Sequence, residues 1–202
     1  FGHNKKEGFF LKDKFVHPYL GITFPLLKNF YFINTPKRIL GVNGKDAQII
    51  FDLKESKKDS AISYLKEWAR ESKIKISNHN SWMNQNFEYI IANSKNKQKN
   101  LFIGIIKDKR NSYFYRFILS SKNNIKYNDD FSSMINQFRA VDENYYQPPR
   151  IKIITVKSDE KFLKSTLDNI NLQEKEAEEI FQVINDLKGK ELKIGEKIKT
   201  IY

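Results

Sequence analysis

Residues 8–36 read GFFLKDKFVHPYLGITFPLLKNFYFINTP, three short apolar-aromatic runs punctuated by His17-Pro18, Gly21, Pro25 and Thr35-Pro36. Short runs of this kind bounded by Gly and Pro read as strands joined by turns. Strand side chains alternate, so Phe10, Lys12, Lys14 and Val16 fall on one face of the first run and Leu11, Asp13, Phe15 and His17 on the other. Neither face is cleanly apolar, which predicts an edge or half-covered strand. Ile22 with Phe24, then Phe30 with Phe32, supply an aromatic floor that later segments must cover.

The chain has 202 residues, 40% apolar and 14% aromatic, enough for one ordinary domain and a small second one with packed cores. No apolar run approaches the ~18 residues of a membrane span, and no charged-then-apolar leader opens the sequence. The first residue is Phe1, so the chain is expected to be a piece of a longer protein. Cysteine is absent, which excludes disulfides and thiolate metal sites. The net charge of +12 is uneven: residues 1–149 carry about all of it, while 150–202 are nearly neutral. Most of the basic residues are Lys rather than Arg, the residue that base reading and phosphate clamping favour, so no nucleic-acid partner is expected.

Further along, Arg38 to Val42 ends at Asn43-Gly44, a two-residue hairpin signal, and Ala47 to Leu53 answers it with Ala47, Ile49, Phe51 and Leu53 alternating. The period then changes. Asp59 or Ser60 caps a helix with Ala61, Ile62, Leu65, Trp68 and Ala69 on one stripe. Lys73 to Ser94 returns to extended structure, and Leu101–Lys107 with Tyr113–Leu119 forms two strands around the turn at 108–111. A second helix, capped by Asp129 or Asp130, carries Phe131, Met134, Ile135 and Phe138. The fold class predicted is α+β, an antiparallel sheet with two flanking helices followed by a small βααβ unit. Its boundaries are a linker at 1–10, a domain at 11–142, a connector at 143–150 across Pro148-Pro149, and the small domain at 151–202. In the latter, Ile151–Val156 and Lys197–Tyr202 are strands, and Glu160–Ile170 and Glu174–Leu187 are helices.

Reactive chemistry finds little purchase. His3, His17 and His79 lie far apart in sequence, without the paired spacing of a zinc helix, and read as surface or turn residues. No Gly-x-Ser-x-Gly elbow or Gly-rich phosphate loop is present. Tyr113, Tyr115 and Phe117 alternate like an RNA-stacking strand but lack its glycines, and core packing accounts for them. No catalytic or metal-ligating residue is assigned.

Phe1-Gly2-His3-Asn4, Glu7-Gly8-Phe9-Phe10, Phe15, His17-Pro18, Leu20-Gly21, Phe24-Pro25 and Asn34-Thr35-Pro36, with Gln137-Phe138-Arg139, resemble the region after the catalytic domain in Gram-negative envelope HExxH zinc metallopeptidases related to the CAAX prenyl protease. The resemblance implies a PsbP-like α+β fold and a hydrolase as the parent protein, one concerned with envelope protein quality control. Zinc is then expected only in an upstream domain, with no cofactor in this chain. It implies a periplasmic or outer-membrane-associated location, a chain without a transmembrane segment, and its own protease domain as partner, beside peptidoglycan or envelope protein substrates. Residues 151–202 resemble a degenerate LysM module: Val156 to Glu160 stands at its first turn, Ile184-Asn185-Asp186-Leu187 at its helix end, and Leu192-Lys193-Ile194-Gly195 before its last strand. By that likeness Ser158, Asp159, Glu160, Lys188, Gly189, Lys190, Glu191, Leu192, Lys193 and Ile194 border a glycan or docking groove. Ser158 replaces the family's Gly, which favours docking over binding of N-acetylglucosamine polymers. The expected function is a non-catalytic substrate-positioning or docking region of such a peptidase, and the alternative is a peptidoglycan-anchoring module.

Overall fold

The computed structural model describes residues 7–11, 13–95, 99–122, 127–142, 151–157, 174–187 and 192–201. Two units divide the chain, one of Ile22–Ala140 and the other of Phe1–Gly21 together with Val141–Tyr202. The second unit opens with β1 (Phe9–Leu11) and β2 (Lys14–His17), paired with Phe9 opposite Val16 and Phe10 opposite Phe15. The single strand expected over this run is therefore a hairpin. Folding back at Asp13 brings Phe9, Leu11 and Val16 into one buried cluster, whereas a continuous strand leaves apolar side chains on both faces. Gly8 explains the tightness of the fold-back: a Cβ there would stand 1.9 Å from Phe15 Cζ.

The unit of residues 22–140 contains β3 (Ile22–Pro25), β4 (Tyr31–Thr35), β5 (Arg38–Asn43), β6 (Ala47–Glu55), α1 (Ala61–Glu71), β7 (Ile76–Met83), β8 (Phe87–Lys95), β9 (Asn100–Asp108), β10 (Tyr113–Ser121), α2 (Asn128–Asn136) and β11 (Arg139–Ala140). β3 pairs with β11, and the rest form a seven-stranded antiparallel sheet in the order β4-β5-β6-β10-β9-β8-β7. The turn from β4 to β5 holds itself closed, with Thr35 Oγ1 donating to the Arg38 carbonyl and accepting from the Arg38 N–H. Between β5 and β6 the loop has three residues rather than the expected two, because Asn43 pairs with Ala47; Gly44 takes φ +51° at its start.

Helices cover both faces of the sheet. Ser60 caps α1 by accepting from Ser63 N–H, and Ala61, Tyr64 and Leu65 pack on Ile90, Ala92, Ile103, Ile105 and Phe114. Strand alternation sends Phe102, Gly104, Phe117 and Tyr115 to the other face, under α2. There Phe131 meets Phe102 at 6.0 Å, and Phe138 lies within 5.0 to 6.1 Å of Tyr115, Phe87, Phe117 and Phe24. The expected cap at Asp129 or Asp130 is not what starts α2. Tyr127 occupies the cap position and makes no side-chain capping bond to the helix, and both aspartates sit in the first turn, where their charge complements the helix N-terminus.

The stretch 73–94 was expected as one extended segment and is two strands. Asn84 Oδ1 accepts from both Asn86 and Phe87 N–H at 2.9 Å, an Asx turn that reverses β7 into β8. In the remaining unit, β12 (Ile151–Thr155) pairs antiparallel with β13 (Lys197–Ile201), and α3 (Glu174–Asn185) buries Phe181. The helix expected at 160–170 lies outside the described residues. The architecture is α+β, an antiparallel sheet flanked by helices, and among the described residues no helix is long and apolar enough to cross a membrane.

Gly104 sets the approach of α2: a Cβ would meet Ile135 Cδ1 at 2.6 Å, inside a core where Ile135 has no exposure. Gly104→Ala is expected to lower stability by about 1–3 kcal/mol through overpacking. Trimming the clashing methyl with Ile135→Val should recover part of the loss in the double variant, as read from urea midpoints.

Candidate functional site

Charged groups drawn into the sheet unit serve its turns and strand pairs. Asp108, at 0% exposure, ends β9 and accepts from Arg110 Nε at 2.8 Å, from Arg110 N–H at 3.0 Å and from Asn111 Nδ2 at 3.2 Å. The Tyr115 hydroxyl donates to it from below at 3.4 Å. Burial works to raise the Asp108 pKa, but the Arg110 bonds outweigh it and hold the carboxyl below its usual range. Arg110 in turn lies over the Phe87 ring at 5.2 Å. On the α1 face, Arg116 donates through Nε to Asp52 at 2.7 Å across the β10–β6 pair, and its guanidinium sits 5.9 Å from the Trp68 ring. Burial pushes the Tyr115 and Tyr64 hydroxyls up as well, so both stay protonated.

The histidines are separate from these pairs. His17 is partly buried at the end of β2, its pKa lowered by burial, and its Nδ1 accepts from Leu20 N–H at 3.3 Å. His79 is exposed on β7, and His3 lies outside the described residues. Among the described residues no group of three His, Cys, Asp or Glu is arranged to hold a metal ion.

Of the predicted groove residues, Ser158, Asp159, Glu160, Lys188, Gly189, Lys190 and Glu191 lie outside the described residues. Leu192, Lys193 and Ile194 are described and enter the turn before β13. Lys193 N–H donates to Glu196 Oε2 at 3.2 Å, Gly195 takes φ +88° with its N–H on the Val156 carbonyl at 2.8 Å, and Ile194 is 74% exposed. Asn185 explains the helix-end motif. Its side chain donates to the Phe181 and Lys199 carbonyls at 2.9 and 2.8 Å and accepts from Lys199 N–H at 2.6 Å, fastening α3 to β13. Asp186, at φ +51°, and Leu187 then close the helix with bonds to Val183 and Gln182, a Schellman end.

A groove that the sequence reading missed lies between α2 and the β7–β8 edge of the sheet, with a volume of about 500 Å³. Asn128, Ser132 and Asn136 recur every four residues and so form one stripe of α2. Asn78 and Asn80 of β7 and Asn93 of β8 face that stripe, since they share the sheet face of Tyr89. Trp82 closes the line by stacking on Tyr89, centroids 5.2 Å apart and 2° between planes. Tyr89 is itself pinned, accepting from Asn84 Nδ2 and donating to the Phe138 carbonyl at 3.0 Å. Asn93 Oδ1 is buried without a hydrogen-bond partner, a condition that costs about 1–3 kcal/mol. The register of β7 on β8 aligns Asn78, Asn80 and Asn93, and the placement of α2 brings Asn128 and Asn136 to them.

No family model matches the chain, and no curated protein matches it. Among solved structures it is similar to a Glu-to-Ala mutant of Protein Mog1, at 12% identity over 60% of this chain and 92% of that one, with a TM-score of 0.41. The Saccharomyces cerevisiae Ran-binding protein Mog1p is similar at 11% identity over 63% of this chain and 94% of its own, TM-score 0.40. A Bacteroides thetaiotaomicron structure is similar at 10% identity over 91% of this chain and 65% of its own, TM-score 0.40.

Because the folded pKa of Asp108 is depressed, its stabilising contribution is full above about pH 4, the unfolded value, and is lost as pH falls through the folded one. Asp108→Asn should cost about 1–3 kcal/mol at pH 7, a figure kept modest because Arg110 is 40% exposed and can turn to water. That deficit should shrink toward pH 2 in denaturation curves. Separately, Asn185→Ala is expected to cost the tail about 1–3 kcal/mol and to speed hydrogen exchange at the Lys199 amide.

Proposed function

We propose that this chain is a non-catalytic substrate-positioning or docking region of an envelope zinc metallopeptidase whose HExxH domain lies upstream. In this reading residues 11–142 are a PsbP-like domain and residues 151–202 a LysM-like module that docks rather than catalyses. The location is the periplasm or the outer-membrane side of the envelope, and the partner is the protease domain.

The observation that carries the reading is what the resembling residues do. Phe138, the middle of Gln137-Phe138-Arg139, is 1% exposed at the centre of the aromatic core and lends its carbonyl to Tyr89. Gly8 admits the Phe15 ring, and His17 closes the turn at Pro18 to Leu20. These positions serve folding, which is what a shared non-catalytic scaffold requires. The carboxylates of Asp108, buried, and Asp52, half-buried, likewise serve strand and turn geometry, with an arginine bound to each. Asn185 does the same for the tail, where the helix-end motif holds α3 to β13.

Two preparations test this. Residues 1–202 supplied with zinc should leave casein intact, while the polypeptide extended upstream through an HExxH helix should cleave it. Zinc-dependent cleavage by residues 1–202, or an upstream reading frame lacking HExxH, contradicts the reading. Sedimentation of residues 1–202 with purified sacculi would favour a peptidoglycan-anchoring module over docking.

A further inference from the structure

We propose that the groove between α2 and the β7–β8 edge binds a neutral saccharide chain. The groove gathers five carboxamides, from Asn78, Asn80, Asn93, Asn128 and Asn136, around one cleft of a size that accepts small ligands. Each carboxamide sets two N–H donors beside an acceptor, and a sugar's vicinal hydroxyls, each donor and acceptor at once, answer that pattern. The charge of the lining narrows the class. The chain carries +12, yet among the described residues no Lys, Arg, Asp or Glu lines this groove, and His79 is its one ionisable side chain. A phosphorylated or sulfated ligand, or a nucleic acid, calls for cations at its oxygens. A fatty ligand calls for a mainly apolar wall, and here Ile91 and Trp82 are the apolar contributors.

Two details point to the same ligand. Trp82 is held flat by Tyr89, and the C–H face of a pyranose lies well on a fixed aromatic plane. Asn93 Oδ1 is buried without a partner, and turning that side chain into the groove it lines lets a ligand hydroxyl satisfy it. This site is lined by residues of the Ile22–Ala140 unit alone and holds whether or not the tail binds glycan.

The test uses the full chain with Trp68→Phe, which leaves Trp82 as the single indole. Chitotetraose, maltotetraose and cellotetraose are titrated separately to roughly 20 mM, the range of weak single-site binding. At least one should change Trp82 fluorescence saturably. Adding Asn80→Ala and Asn136→Ala, both at exposed positions, should weaken that binding by about tenfold or more while circular dichroism stays unchanged. The proposal is overturned by no saturable response from any of the three, or by equal affinity in the double-alanine chain. Calorimetric binding with a silent Trp82, which places the sugar elsewhere, also overturns it.

Discussion

The seating of Phe138 beneath the sheet is the constraint on which the rest of the Ile22–Ala140 unit depends. Its ring fills the space among Phe24, Phe87, Tyr115 and Phe117, and its carbonyl accepts the Tyr89 hydroxyl. Removing a ring of this size from a closed core costs about 3–5 kcal/mol, a large part of the total stability of an ordinary domain. The polar bond matters for another reason, because a buried hydroxyl or carbonyl left without a partner is costly. Phe138 follows the end of α2 by two residues, so its seating holds that end to the sheet, and Gly104 lets the helix come close. The stripe Asn128-Ser132-Asn136 then faces β7 and β8, so the groove is a by-product of core packing.

Polar groups in this protein settle geometry at specific places. Asn84 reverses β7 into β8, Asp108 closes the β9–β10 turn, Arg116 with Asp52 ties β10 to β6, and Asn185 ties α3 to β13. All four act over a short reach on backbone or on nearby side chains, which leaves recognition to surfaces. The amide groove is a surface of that kind, and among the described residues no Lys, Arg, Asp or Glu lines it, in a chain rich in basic residues.

Much of the fold was legible where one physical signal acted alone. The alternation of Ala47, Ile49 and Phe51, the Ser60 cap with its apolar stripe, and the turn at 108–111 all appear as read. The strand through Asp13 was misread because a hairpin and a two-faced strand share the same alternation, and only tertiary burial of Phe9, Leu11 and Val16 separates them. Residues 73–94 hid a turn because Asn84 and Asn86 stand among many other asparagines, and because β7 is an exposed edge with almost no apolar period. The groove was illegible for a related reason. Its residues come from three segments with polar side chains, and hydrophobic periodicity says nothing about which polar faces meet. The motif at Asn185 is legible as a helix end, but its fastening of that helix to β13 depends on a strand partner that helix-end spacing does not reveal.

The most direct measurement of the central claim is aromatic NOE spectroscopy on the intact chain with Phe138 selectively labelled. The expected result is cross-peaks from the Phe138 ring to Phe24, Phe87 and Tyr115, with the Tyr89 hydroxyl proton slow to exchange. A Phe138 ring with solvent-like shifts and no contacts to those three would contradict the account, and with it the placement of α2 over the sheet.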